Sequence, residues 1–112
     1  MNNKILFDFE KLKNIYIKCD WNSDKISEIT GVPKRYILSF NPNDNSFSNI
    51  YDVEFISVKG TKKRRGIHIV INCDGGIKCS MIKQGCDRED FRKMIDLYNE
   101  FLAVYREYII FI

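Results

Sequence analysis

The sequence predicts a small single-domain α+β fold. An antiparallel β-meander over about residues 51–83 is packed by one long amphipathic helix over about 87–110. Two patterns carry that prediction. Ile67, Ile69 and Ile71 alternate along a β-branched stretch that runs into Asp74-Gly75-Gly76, the chemistry of a tight hairpin turn. From Asp87 onward, Phe91, Ile95, Tyr98, Leu102, Tyr105, Ile109 and Ile112 recur at steps of four and three, the period of a helix with one apolar stripe.

The N-terminal third supports two descriptions. Phe9, Leu12, Ile15 and Tyr16 fall at helical spacing, yet Ile15-Tyr16-Ile17-Lys18-Cys19 also reads as a strand. Asn41-Pro42-Asn43-Asp44-Asn45-Ser46 concentrates turn-forming residues and predicts a loop. Beyond it, Val53–Phe55, Ile67–Ile71 and Ile77–Cys79 are the expected strands. For the last helix, Asp87 is the expected cap, and Glu89 and Asp90 set negative charge against the positive end of the helix dipole. Met94, Phe101 and Tyr108 widen its stripe. The apolar exit Tyr108-Ile109-Ile110-Phe111-Ile112 is expected either to be buried beneath the sheet or to be shared with a second copy, a homodimer through the C-terminal helix.

Composition bounds the function. A chain of 112 residues with 45% hydrophobic content, including 8 Phe and 6 Tyr, can bury a core as one domain spanning residues 1–112. It shows neither a secretory leader nor a run of roughly 20 apolar residues, so no membrane is expected as a partner. Cys19, Cys73, Cys79 and Cys86 lack metal-ligand spacing and His68 is the single histidine, which predicts reduced thiols, a cytoplasmic location, no metal and no cofactor. Richness in Ile, Lys, Asn, Tyr and Phe is what AT-rich codons produce, and points to a low-GC bacterium, its phage or a plasmid.

Charge is distributed unevenly. Residues 1–54 carry seven Lys and Arg against eight acids, net −1; residues 55–86 carry seven against Asp74 alone, net +6; residues 87–112 carry four against six, net −2. Most of the excess lies in Lys59, Lys62, Lys63, Arg64 and Arg65, between Gly60 and Gly66 or beside them. Such a glycine-framed basic turn is expected to hold phosphates through sequence-independent contacts. The alternative is a solvated hairpin tip.

Residues 23–40, Ser-Asp-Lys-Ile-Ser-Glu-Ile-Thr-Gly-Val-Pro-Lys-Arg-Tyr-Ile-Leu-Ser-Phe, resemble the helix-turn-helix of DNA-binding proteins. Ser27 is the small residue four before Gly31, and Ile26, Val32, Ile37 and Phe40 match the apolar offsets; Ile29 and Thr30 depart from them. The resemblance implies a second helix opened by Pro33, with Lys34, Arg35 and Ser39 facing DNA. With Phe9–Tyr16 as the preceding helix, the basic turn would be the wing of a winged-helix protein. The competing description makes Arg35–Phe40 a strand in a larger antiparallel sheet, where Tyr36, Phe40 and Tyr51 would stack on the bases of single-stranded nucleic acid.

Both descriptions lead to one expectation, a non-enzymatic protein that binds DNA or RNA through Lys59, Lys62, Lys63, Arg64, Arg65, Lys34, Arg35 and His68. His68, set between two isoleucines, is expected to be structural or to touch phosphate, since no second histidine or nucleophile completes a catalytic set. Asp52, Glu54 and Lys59 resemble the acid-and-lysine strand of restriction-type nucleases, but Ser57 occupies the place of the acid that would hold magnesium. The rival expectation is a phage anti-defence or immunity-type inhibitor that binds a protein or ribonucleoprotein target.

Overall fold

The computed structural model describes residues 4–83 and 85–112. Strand β1 (Ile5–Phe7) leads into helix α1 (Phe9–Lys18), capped by the Asp8 carboxylate, which accepts from the Lys11 N–H. Helix α2 (Ser23–Thr30) comes next, with Asn22 as its cap. A 3-10 turn (Lys34–Tyr36) then gives way to β2 (Ser39–Asn41), β3 (Ser46–Ile56), β4 (Lys62–Ile71) and β5 (Ile77–Met81). Helix α3 (Arg88–Val104), a second 3-10 turn (Arg106–Tyr108) and β6 (Ile109–Phe111) complete the order. The strands form an antiparallel four-stranded sheet, β2-β3-β4-β5, and a two-stranded sheet, β1-β6. The α+β class and the meander of the last three long strands are as the sequence predicts.

Alternation assigns the faces of the large sheet. Phe47, Tyr51 and Phe55 on β3, in register with Ile71, Ile67 and Lys63 on β4, look inward. Phe47, Tyr51, Ile67 and Ile71 join one core with Phe7, Phe9, Leu12 and Phe101. The opposite face stays open, a common state for antiparallel sheets. It carries Ile50, Asp52, Glu54, Lys62, Arg64 and His68, all exposed or half-buried. The β4–β5 turn presses on β1: Phe7 N–H donates to Gly75 O at 2.8 Å, and Gly75, at φ 93, has no room for a Cβ against Phe7 O.

Four expectations are corrected by the structure. First, the second helix of the helix-turn-helix does not form. Gly31 does take the left-handed conformation, φ 75, and ends α2. Val32, placed before a proline, is kept out of helical geometry, and Pro33 itself sits extended at φ −56, ψ 143. The chain then makes three residues of 3-10 turn and enters strand β2. Burial of Tyr36 and Leu38, at 4% and 2% exposure, favours the strand description.

Second, the basic cluster is not a turn. The turn is Ser57–Thr61, and Lys62 to Arg65 lie inside β4, opposite Ile56, Phe55, Glu54 and Val53. Third, α3 is rolled by about one residue from the expected stripe. Phe101 and Tyr105 of that stripe are buried, but so are Asp90 and Leu97 outside it, while Phe91 and Ile95 are 48% and 54% exposed. Asp90 sets this roll, because its carboxylate meets Arg65 and Lys63 on the inner face of the sheet. Fourth, α3 ends at Val104, and the β-branched exit becomes β6, paired with the chain's own β1 through Ile5↔Phe111 and Phe7↔Ile109. Tyr36 and Tyr51, expected to stack on bases, are buried and serve the interior, while Phe40, half-buried, packs on Phe9, Phe47 and Trp21.

Candidate functional site

Alternation along β4 separates the cations expected to act together. Lys63 and Arg65 point inward, and Lys62 and Arg64 outward. Inside, Lys63 Nζ donates to Asp87 Oδ2 at 2.6 Å and lies 3.7 Å from Asp90 Oδ1, while Arg65 Nε donates to Asp90 Oδ1 at 3.0 Å. Asp90 is 1% exposed and also accepts the Asp87 N–H at 3.0 Å, closing a reciprocal cap at the start of α3. Outside, Arg64 Nε donates to Asp52 Oδ2 at 2.8 Å, and Lys62 pairs with Glu54 at 3.4 Å. Four of the five cations are therefore met by four carboxylates, two from β3 and two from the start of α3.

The electrostatics reflect the pairing. The hydrogen bond to Asp87 raises the Lys63 pKa, and the hydrogen bond to Asp52 raises that of Arg64. Lys63 in turn lowers Asp87 from the ordinary 3.8 to about 2, helped by the Asp90 N–H. Four of the seven cations counted along residues 55–86 are thus met in space by acids from outside that segment. Among the described residues Lys59, exposed in the turn beside Gly60, makes no ion pair. His68 is half-buried on the open face, in register with Ile50 and Ser80. Lys34 pairs with Asp24, and Arg35 lies over the Tyr36 ring at 5.0 Å. The eight residues expected to form one site occupy the 3-10 turn and both faces of the ribbon.

What sequence reasoning missed is an edge. Strand β2 covers β3 only at Ser46–Ser48. From Asn49 to Ile56, β3 has β4 on one side and, among the described residues, no strand on the other. The Ser57 N–H donates to Thr61 O at 2.8 Å, which fixes the phase of the ladder. The N–H and C=O of Asp52, Glu54 and Ile56 therefore face away from β4. The same phase turns Ile50 outward, but its N–H is taken by the Asn49 side chain, whose amide donates to the Arg35 and Ile37 carbonyls and closes that end.

Along this edge runs a groove whose far wall is α3. Three adjoining cavities of about 480, 340 and 210 Å³ form it, the first two sharing Val53, Leu97 and Glu100, the last two sharing Lys93. Arg35 and Glu100 stand at one end, where the Tyr36 hydroxyl donates to Glu100 Oε2 at 2.8 Å; burial and that carboxylate raise the Tyr36 pKa. At the other end the Val58 N–H donates to Glu89 Oε2, tying the ribbon tip to α3. An unpaired strand edge beside a helix is the geometry that accepts an extended peptide as an additional strand. The signal available in the sequence was length: β3 has eleven residues and the short run Ser39–Asn41 cannot cover them.

No helix among the described residues is long and apolar enough to cross a membrane. No family model, curated protein or solved structure matches this chain.

Proposed function

We propose that this chain is a non-catalytic binding module that captures an extended segment of a partner protein along the free edge of β3. The observation that carries the reading is the unpaired edge from Asn49 to Ile56 lying in the groove against α3. Three outward-facing residues, Asp52, Glu54 and Ile56, offer main-chain donors and acceptors for affinity, and the groove wall supplies selectivity. Asp52 and Glu54 disfavour pairing with a second copy of the same edge, where like charges would meet, and favour a segment carrying Lys or Arg at alternate positions. An inhibitor or immunity-type protein that acts by occupying a target's surface is the functional class this suits.

The test uses a peptide selected from a random library against the intact protein. Glu54→Pro removes an outward N–H without removing a β3–β4 hydrogen bond, since proline is tolerated on an open strand edge. It is expected to leave the melting temperature nearly unchanged and to weaken the peptide at least tenfold, the effect of losing roughly 1.4 kcal/mol. Selection of no binder, or binding unaffected by Glu54→Pro, contradicts the reading.

A second reading keeps nucleic acid as the partner. Its support is the exposure of the outer pairs: the Lys62 and Glu54 side chains are 81% and 46% exposed, those of Arg64 and Asp52 69% and 58%. Pairs so exposed contribute little and exchange readily for phosphate, and Lys59 adjoins them at the tip. A salt series with labelled DNA and RNA discriminates: a steep negative slope supports this reading, a flat response the first.

A further inference from the structure

The chain's single tryptophan stands in an unusual backbone conformation. Helix α1 ends with Asp20 N–H donating to Ile17 O and Trp21 N–H to Tyr16 O, a Schellman-type closure. That closure needs one left-handed residue, and glycine is the usual choice. Here both Asp20 and Trp21 are left-handed, at φ 54 and φ 59, a conformation a bulky side chain rarely adopts. The effect is to hold the indole outside the core, 48% exposed, stacked on Phe40 at 5.2 Å and edge-on to Tyr16 at 6.1 Å.

Beside it opens a cavity of about 570 Å³, which shares no lining residue with the β3 groove. Its walls are apolar and aromatic: Tyr16, Trp21, Ile26, Ile37, Leu38 and Phe40. Its polar groups are Lys34, Ser23 and Ser39. The Tyr16 hydroxyl is committed to Leu38 O at 2.6 Å and offers no proton to a visitor. Lys34 is a donor alone, and the two serines have hydroxyl protons to give. Size and composition are those of a small-molecule site, with apolar walls and a few convergent polar groups.

From this we infer a second binding site: the Trp21 cleft takes a small planar aromatic compound carrying an acidic group, its ring lying along Trp21 and Phe40 and its anion directed to Lys34. The anion would replace Asp24, which now pairs with Lys34 in the open, both side chains being 67% exposed. This inference is independent of strand capture at β3, and either can fail without the other.

The test is a titration of the intact protein with 2-naphthoate, with 2-naphthalenemethanol as the uncharged comparison. It is read by the single indole N–H signal of Trp21 in a nitrogen–proton correlation spectrum and by calorimetry. The expected result is a saturable shift of that signal, with naphthoate binding about threefold to tenfold tighter than the alcohol, the range for an exposed or partly exposed charge contact. Asp24→Asn should tighten naphthoate and leave the alcohol unchanged. Lys34→Met should erase the difference between the two probes, and Trp21→Ala should weaken both. No saturable shift into the low millimolar range, or shifts centred outside the cleft, overturns the site. Equal binding of both probes, unmoved by either charge variant, overturns the acidic group.

Discussion

A carboxylate at 1% exposure, as Asp90 is, requires compensation, and Arg65 with the Asp87 N–H provides it. Arg65→Met is expected to destabilise the fold by about 3 kcal/mol, because it leaves the buried Asp90 charge only the Asp87 N–H and the more distant Lys63, whereas Arg65→Met with Asp90→Leu is expected to recover most of the loss. Chemical denaturation measures both, and equal destabilisation by the single and the double variant contradicts the assignment. Asp87 predicts a pH effect. Its folded pKa of about 2 lies below the ordinary 3.8, so its stabilising contribution is complete above pH 3.8 and is lost as pH falls toward 2. Asp87→Asn should flatten the stability profile in that window and leave its shape above it intact. At Asp20, φ 54 favours glycine, and Asp20→Gly is expected to raise stability by up to about 1 kcal/mol. A fall in melting temperature instead would show that the Asp20 side chain has a compensating role.

Among the elements, α3 shows how far a periodic pattern can be read. Its existence, its Asp87 cap and the acids of its first turn are legible in residues 87–104, but two adjacent apolar rows run along it, Phe91-Ile95-Tyr98-Leu102 and Met94-Leu97-Phe101-Tyr105. Period alone cannot choose between rows about 100° apart. The choice is made by Asp90, a charged residue that pattern reading assigns to solvent. Phe101→Ala is therefore expected to cost about 3–5 kcal/mol and Phe91→Ala under about 1, a contrast that thermal or chemical unfolding measures directly. The segment after Gly31 is the mirror case: its end of helix was legible from the glycine, and a strand over Arg35–Phe40 was legible as one of two descriptions, between which pairing with β3 across the turn Pro42–Asn45 decides.

For the whole molecule, the decisive difference is between charge along the chain and charge in space. Lys62, Lys63, Arg64 and Arg65 form a block in sequence, yet two-residue alternation sends them to opposite faces, and acids from residues 52–54 and 87–90 arrive to meet them. Composition cannot show this, because ion pairing across a fold depends on register and on the roll of a packed helix. The free β3 edge was hidden for the same reason: an edge is a property of what fails to pair. Among the described residues, the edge of β3 from Asp52 to Ile56 is the free strand edge that lies in a groove against α3.

Amide hydrogen exchange, recorded with and without a library-selected peptide, reads that edge residue by residue. Added protection at the amides of Asp52, Glu54 and Ile56, with β5 unchanged, is the predicted result. Protection absent from those three, or appearing instead along Ile77–Met81, would contradict it.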